Sequence, residues 1–461
     1  MMSRYNQPVS LENLALSSFA QNIKALGVKL LQSEGLRAEV SPSRTLHHSE
    51  RESTCFKNML KTVACRVHRL FMCHSSAWCL QSPITIKENP HYVQQICNDL
   101  QDHLHSMVIQ TVANELTAEL LQILSTLISS RGGLMCKPWY ELVMQSLVRS
   151  IIHPAVTRLK LTHELYNIAP VVCATLGTMT NLEVLELSFV SDVSDLCMLV
   201  GVMDECLEQL VVTALRSLVN LKIFRFPCNC TDNIVMSVGC SCRYLKCIDF
   251  HCSKVTDLSV ASILDLQCLL EVNLCRTSIS EEGCTFLLKK LSQNNATLRS
   301  FRCSAISVSQ LDILVSKFLN LTQVNLVSFS CDLSLLKELK NLQVLRLQSG
   351  HFSHVKAVLL VSGWHLSVLE LARLIGVDVK VIDTSDLNIE NVLRRNQLRF
   401  LVELHLELHG GQLPLSAARM ITDSCIQLVV LKGITTWGIN SYALQSFLQE
   451  MKQAYPGVHI L

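Results

Sequence analysis

One six-residue frame, LxxLxL, constrains what this chain can fold into more than any other feature. From Val156–Leu159–Leu161 and Leu182–Leu185–Leu187 it recurs eleven times, through Leu245–Ile248–Phe250 and Leu342–Leu345–Leu347 to Leu401–Leu404–Leu406. In the last copy, Leu428–Leu431, Gly433 replaces the final apolar residue. Most starts lie 21–29 residues apart, with two longer intervals of 39 and 35. A strand with one buried face turns alternate side chains away from its core, so the residue between the last two apolar positions must look outward. Those residues are Lys160, Glu186, Arg225, Asp249, Asn273, Arg302, Asn325, Arg346, Glu370, His405 and Lys432. All eleven are polar or charged in a chain that is 49% hydrophobic. Periodicity that arose by chance would not keep one column free of apolar residues, so each frame reads as a strand.

Tyr244–Leu264, YLKCIDFHCSKVTDLSVASIL, gives the whole unit. A strand over Ile248–Phe250 is followed by a Cys-containing turn and a helix with Thr256 and Asp257 at its start. Leu258, Ala261, Ile263 and Leu264 stand at near-helical spacing as its expected buried face. One strand and one helix in about two dozen residues is a leucine-rich-repeat unit, which buries its apolar face only against neighbours. The expected fold class is α/β: a leucine-rich-repeat solenoid over residues 151–461, horseshoe-shaped and ribonuclease-inhibitor-like, with parallel strands inside and helices on the convex side. The long intervals should hold loop insertions, or a degenerate extra turn such as Leu207–Leu210–Val212. The outward row from Lys160 to His405 is the expected partner-binding concave face, exposed, aligned and not engaged by core contacts.

The segment CSKVTDLSVASI resembles the cysteine-containing leucine-rich repeats of F-box proteins, which read as a strand, then C-x-x-[IV]-T-D, then a helix. Cys252, Val255, Thr256 and Asp257 match that pattern, and the next unit follows it more loosely through Ile279, Ser280 and Gly283. The N-terminal stretch adds a second resemblance. Residues 8–31 read as an amphipathic helix with Ser10 as cap and Leu11, Leu14, Leu16, Phe19, Ala20, Ile23 and Leu26 on one stripe. Ser10, Leu11, Ala15 and Phe19 or Ala20 are similar to the BC-box, [APST]-L-x-x-x-C-x-x-x-[AILV], with Ala15 at the Cys position. The resemblance implies a substrate receptor of a cullin–RING ubiquitin ligase, docking through Leu11, Leu14, Ala15 and Phe19 onto elongin C or Skp1 and a cullin. No F-box opening with L-P is present. A helix that merely caps the first repeat satisfies the same apolar stripe, so docking and capping both stay open.

Domain organisation follows: 1–32 is the docking or capping helix, 33–90 a low-order Cys/His-rich linker or insertion, 91–150 a helical cap, and 151–461 the array. Cys55, Cys65, His68, Cys73, His74 and Cys79 crowd the second segment, but without a CxxC pair the spacing matches no usual zinc finger. In the third, Val93, Ile96, Leu100, Leu104, Val108 and Val112 share one helical face, and Leu116, Leu120, Leu121, Leu124 and Leu127 another.

With a net charge of +2 and only 17% charged residues, no electrostatic search for nucleic acid or an anionic membrane is expected. No apolar run is long enough to span a bilayer, and no secretory leader is visible. The 21 cysteines therefore read as reduced thiols in the cytoplasm or nucleus, and Cys247 and Cys303 as core residues. The sequons at Asn229, Asn295 and Asn320 are then coincidental. His405, Glu407 and His409 alternate on one strand but read as open-face residues and a turn rather than a metal site. The acidic residues of GVMDECLEQL read as a solvated helix face. No nucleophile elbow, HExxH or Walker loop occurs, and no cofactor or catalytic residue is expected. Two functions remain: a non-enzymatic ligase substrate receptor, or a stand-alone leucine-rich-repeat scaffold or inhibitor.

Overall fold

A computed structural model describes Asn98 and residues 113–129, 148–149, 152, 155–189, 204–294, 297–359, 366–374, 398–408, 413, 415–455 and 457–461. Two compact units separate among them, the first ending at Leu221 and the second beginning at Lys222. The architecture is an α/β leucine-rich-repeat solenoid. Every frame forms a strand, the strand pairs within each unit are parallel, and helices or 3₁₀ turns connect strands wherever the connection is described.

The first unit holds α1 (Ala113–Ser129), β1 (Arg158–Thr162), α2 (Ala169–Thr175), β2 (Val184–Ser188) and α3 (Glu205–Leu215). Strands β1 and β2 pair with Leu159 opposite Leu185 and Lys160 opposite Glu186. Leu207, Leu210 and Val212, expected as a degenerate strand turn, lie instead in α3. That helix starts at Asp204, whose carboxylate accepts from the Cys206 amide at 3.2 Å, and acidic residues in a first turn suit the helix dipole.

The second unit runs β3 (Ile223–Arg225), α4 (Asp232–Ser241), β4 (Cys247–Asp249), α5 (Val260–Leu264), β5 (Glu271–Leu274), α6 (Glu281–Asn294), β6 (Ser300–Ile306) and α7 (Val308–Lys317). It continues with β7 (Gln323–Phe329), a 3₁₀ turn at Ser334–Glu338, β8 (Val344–Gln348), α8 (Phe352–Leu359), β9 (Val368–Leu374), β10 (Glu403–Leu408), α9 (Leu415–Ser424), β11 (Val430–Lys432), α10 (Ser441–Ala454) and β12 (His459–Ile460). Strand β12 pairs in parallel with β11 and has no LxxLxL frame.

The frame leucines make the core: Leu185, Leu345 and Leu369 are at most 1% exposed. Phe224 stacks edge-on against Phe226 and Phe250 at 6.3 and 5.9 Å. Two residues past the last apolar position, Cys228, Cys252, Arg276, Ser349 and Arg373 all adopt positive φ, between 54° and 67°. The chain leaves these strands through a left-handed residue, and the next strand holds its amide in three of them: Cys228, Cys252 and Ser349 donate to His251, Cys275 and Ala372 carbonyls.

Burial in the unit from Tyr244 corrects the expected helix phase. A short 3₁₀ turn, Asp257–Ser259, precedes α5 and rotates the buried face. Ser259, Val260, Ile263 and Leu266 are buried, whereas Leu258 is 76% exposed and Ala261 is exposed. Thr256 does cap this turn, accepting from the Leu258 amide at 3.3 Å. Gly433, the residue that breaks the last frame, has φ +90°, and a Cβ there would overlap the Leu406 carbonyl. That carbonyl also accepts from Nε1 of the buried Trp437 at 2.8 Å.

Candidate functional site: the open sheet face

In the second unit, strand pairing brings the outward residues into one unbroken row. Arg225 lies opposite Asp249, Asp249 opposite Asn273, and so on through Arg302, Asn325, Arg346, Glu370, His405 and Lys432. In the first unit Lys160 and Glu186 are partners in the same way, with their charges 3.9 Å apart. The predicted face residues are therefore aligned on the side of the sheet away from the leucine core. The predicted docking residues Leu11, Leu14, Ala15 and Phe19 lie outside the described residues, as does the Cys/His-rich segment.

Residues of the row pair with one another along the sheet. Neighbouring strands lie about 4.8 Å apart, so each side chain meets those before and after it. Asp249 accepts from His251 Nδ1 at 2.7 Å, from the His251 amide at 3.1 Å and from Asn273 Nδ2 at 2.9 Å. Burial alone would raise the Asp249 pKa, but these bonds outweigh it and hold the carboxyl below its ordinary value. Burial likewise pulls His251 down, yet the Asp249 hydrogen bond and charge win, and its pKa is raised. Asn273 is 8% exposed, its Oδ1 taken by the Cys275 amide at 3.2 Å.

A second cluster surrounds Glu370. Arg346 Nε lies 3.2 Å from it, Gln348 Nε2 donates at 2.7 Å, and His405 Nδ1 stands 3.7 Å away. The His405 interaction, followed by Gln348 and Arg346, keeps the Glu370 carboxyl below its usual range despite partial burial. Lys432 is matched by Glu403 at 2.6 Å. Glu407 sits 3.9 Å from His405 and 3.6 Å from Arg373, while His409 lies outside the described residues. Among the described residues no group of three or more His, Cys, Asp or Glu could hold a metal.

Cysteine chemistry is muted where it is buried. Burial pushes Cys173, Cys242, Cys275 and Cys284 up to about 12, and with Glu271 beside it Cys247 also reaches about 12. Cys303 and Cys247 are both buried, at 4% and 6% exposure, and Cys247 is reached from the other side of its strand. It shares the open face with Asp249, covered by Arg225 and Glu271 at 3.9 and 3.6 Å from its sulfur. Such thiols are poor nucleophiles. A shallow polar cleft at the entry edge of β6–β8, lined by Arg299, Thr322, Lys340 and Gln343, contains no acid–base pair.

Sequence reasoning missed Gln323, two residues before Asn325 on β7. Its amide oxygen, turned toward them, accepts from Arg302 Nη2 and Arg346 Nη1, each at 2.8 Å. A signal was available: positions two before the row share its face, because side chains alternate along a strand.

No protein-family model matches the chain, and no curated protein sequence matches it. Among solved structures, the chain is similar to the Rad7 and Elc1 complex of yeast, at 15% identity and a TM-score of 0.41, over 81% of this chain and 93% of that one. It is also similar to an internalin of Listeria monocytogenes, at 17% identity and a TM-score of 0.34, over 67% of this chain and 86% of that one. A third likeness is to a leucine-rich-repeat protein of Leptospira interrogans, at 14% identity and a TM-score of 0.29, over 69% and 74%.

Proposed function

We propose that this protein is a non-enzymatic binding protein whose open sheet face takes a target protein, and that it serves as the substrate-recognition subunit of a cullin–RING ubiquitin ligase. The observation that carries the first half is the register-aligned polar row from Arg225 to Lys432. A sheet built from nearest-neighbour repeats offers a long, rigid surface, so little freedom is lost when a partner settles on it. Charges of both signs alternate along the row, which suits one complementary protein better than a polyanion. Support for the second half is the resemblance of Ser10, Leu11, Ala15 and Phe19 to a BC-box and of Cys252, Val255, Thr256 and Asp257 to F-box-protein repeats. With Ala15 in place of Cys, the elongin C pocket is less filled, and docking should be weaker than usual.

The test is affinity purification of the full chain followed by mass spectrometry, in parallel with Leu11→Ser. Elongin C or Skp1 with a cullin should co-purify with the parent and be lost from the variant, with thermal stability unchanged. No ligase component on the parent would sink the docking role and leave the scaffold reading standing.

A further inference from the structure

Charge is unevenly distributed along the row. Between the carboxylates of Asp249 and Glu370 it reads Asn273, Arg302, Asn325, Arg346, with no acid among them. The two arginines flank β7 and turn toward the same neutral oxygen, that of Gln323, at 2.8 Å each. Like charges converge on an acceptor that carries none. Arg346 is compensated by Glu370 at 3.2 Å, whereas Arg302 forms no ion pair among the described residues. The pair of guanidiniums thus carries one uncompensated positive charge.

Asn325 lies in the row directly between them, and its Oδ1 is buried with no hydrogen-bond partner. Asn273, two strands earlier, marks the contrast. Its amide donates to Asp249 and its oxygen accepts from Cys275, so it is spent on the fold. Asn325 is left with an acceptor aimed at nothing. A buried carbonyl group ordinarily finds a donor, and one without a partner asks for an explanation.

We propose that Arg302 and Arg346 seat a single carboxylate, from an Asp or Glu in an acidic segment of the target protein, and that the Asn325 side chain, whose Oδ1 is closed to solvent in the free chain, turns outward to accept a backbone N–H of that segment. This rests on the reading of the open face as the target surface. A carboxylate replaces the Gln323 oxygen as the shared acceptor, because its negative charge adds Coulomb attraction to both guanidiniums and its two oxygens permit paired bonds that a single amide oxygen does not. The guanidinium forks match its two oxygens. One unit of free charge fits a monoanion, while Glu370 on one side and Asp249 on the other disfavour a dianionic phosphate. Lys432 gives no comparable seat, since Glu403 already matches it at 2.6 Å.

The probe is a fluorescein-labelled Gly-Ser peptide with two central glutamates, its binding to the full chain followed by anisotropy at low ionic strength. Arg302→Gln and Arg346→Gln should each weaken it at least tenfold, Asn325→Ala several-fold, and Lys432→Gln hardly at all. Arg302→Lys keeps the charge without the fork and should fall between parent and Arg302→Gln, with melting temperatures confirming that every variant is folded. Equal binding of a glutamine peptide, equal loss in Lys432→Gln, or no binding to the parent would overturn the seat. Tenfold tighter binding of a phosphoserine peptide would overturn the monoanion. The broader reading is judged separately: if Asp249→Lys abolishes target capture while the acidic peptide never binds, the face stands and the seat falls.

Discussion

The Asp249–His251 pair shows what the row does at the level of single residues. His251 has a raised pKa in the folded chain, so protonation favours folding. That contribution is fully present below the unfolded value near 6.5 and is lost as pH rises through the higher folded value. Asp249, held low, contributes stability above its unfolded value near 3.9 and loses it as pH falls through the folded one. Melting temperature should therefore decline on the alkaline side of about pH 6.5, and Asp249→Asn should flatten that decline and bring the His251 pKa down in an NMR titration. An unchanged His251 pKa in the variant would contradict the pairing. The pattern of the frame located Asp249 but could not tell that its neighbour along the strand would fold back onto it. The same limit applies to Leu258 and Ala261, assigned to the core from spacing alone: a 3₁₀ turn of three residues was enough to rotate them outward. Leu258→Ala should change stability by no more than about 0.5 kcal/mol, and Ile263→Ala should cost about 2–5 kcal/mol in urea unfolding.

At the scale of elements, the repeats are tied by hydrogen bonds that the apolar frame does not reveal. Asp232, in the first turn of α4, accepts from the Thr256 amide and hydroxyl at 2.8 and 2.7 Å, and also from the Ser259 hydroxyl. Asp257 repeats the arrangement with Ser280, at 2.8 and 2.6 Å. The T-D pair is thus a clasp in which each helix start holds the next, a role the quoted residues suggested only as a motif. Gly283 belongs to this clasp, because a Cβ there would overlap the Asp257 carboxylate. Gly283→Ala should push the exposed Asp257 carboxylate off Ser280 and cost about 0.5–1.5 kcal/mol, the net worth of a hydrogen bond, measurable by urea unfolding. A cost no greater than that of Gly457→Ala, where nothing lies within 4 Å, would count against it. Strand entry follows an equally regular rule. One carbonyl of each repeat accepts two successive amides of the next, as Lys222 does from Lys246 and Cys247 and Arg299 from Thr322 and Gln323. At β1 the acceptor is instead the Asn114 side chain of α1, taking the Thr157 and Arg158 amides at 2.9 and 3.1 Å. Asn114 thus supplies at β1 the double acceptor that a backbone carbonyl supplies at later strands. Asn114→Ala should speed hydrogen exchange at those two amides, while Asn114→Asp should preserve their protection.

For the molecule as a whole, most of the array could be read from sequence because one side-chain alternation both buries leucines and exposes the row. The remainder could not: β12 has too few residues to show a period, and the left-handed exits at Arg276 and Ser349 lack the glycine or asparagine that would announce them. Repeats that touch only their neighbours also localise damage. Leu345→Ala on β8 should reduce amide protection most in β7–β9 and progressively less toward β3, and a uniform loss would speak against such coupling.

The register ladder has a further consequence, which is one of measurement. Row residues recur about every 4.8 Å, the distance between strands, whereas an extended chain advances about 3.4 Å per residue and a helix about 5.4 Å per turn. Neither spacing matches the row. A helical partner laid along it falls back into step only after about nine strands, and an extended one, whose alternate side chains face away, meets positions three strands apart with every fourth residue, missing by about 0.8 Å. The face therefore behaves like a vernier scale: a partner lines up well over a few marks and drifts out of step elsewhere. Recognition is confined to short stretches, and inserting a single strand would change which pair of marks coincides.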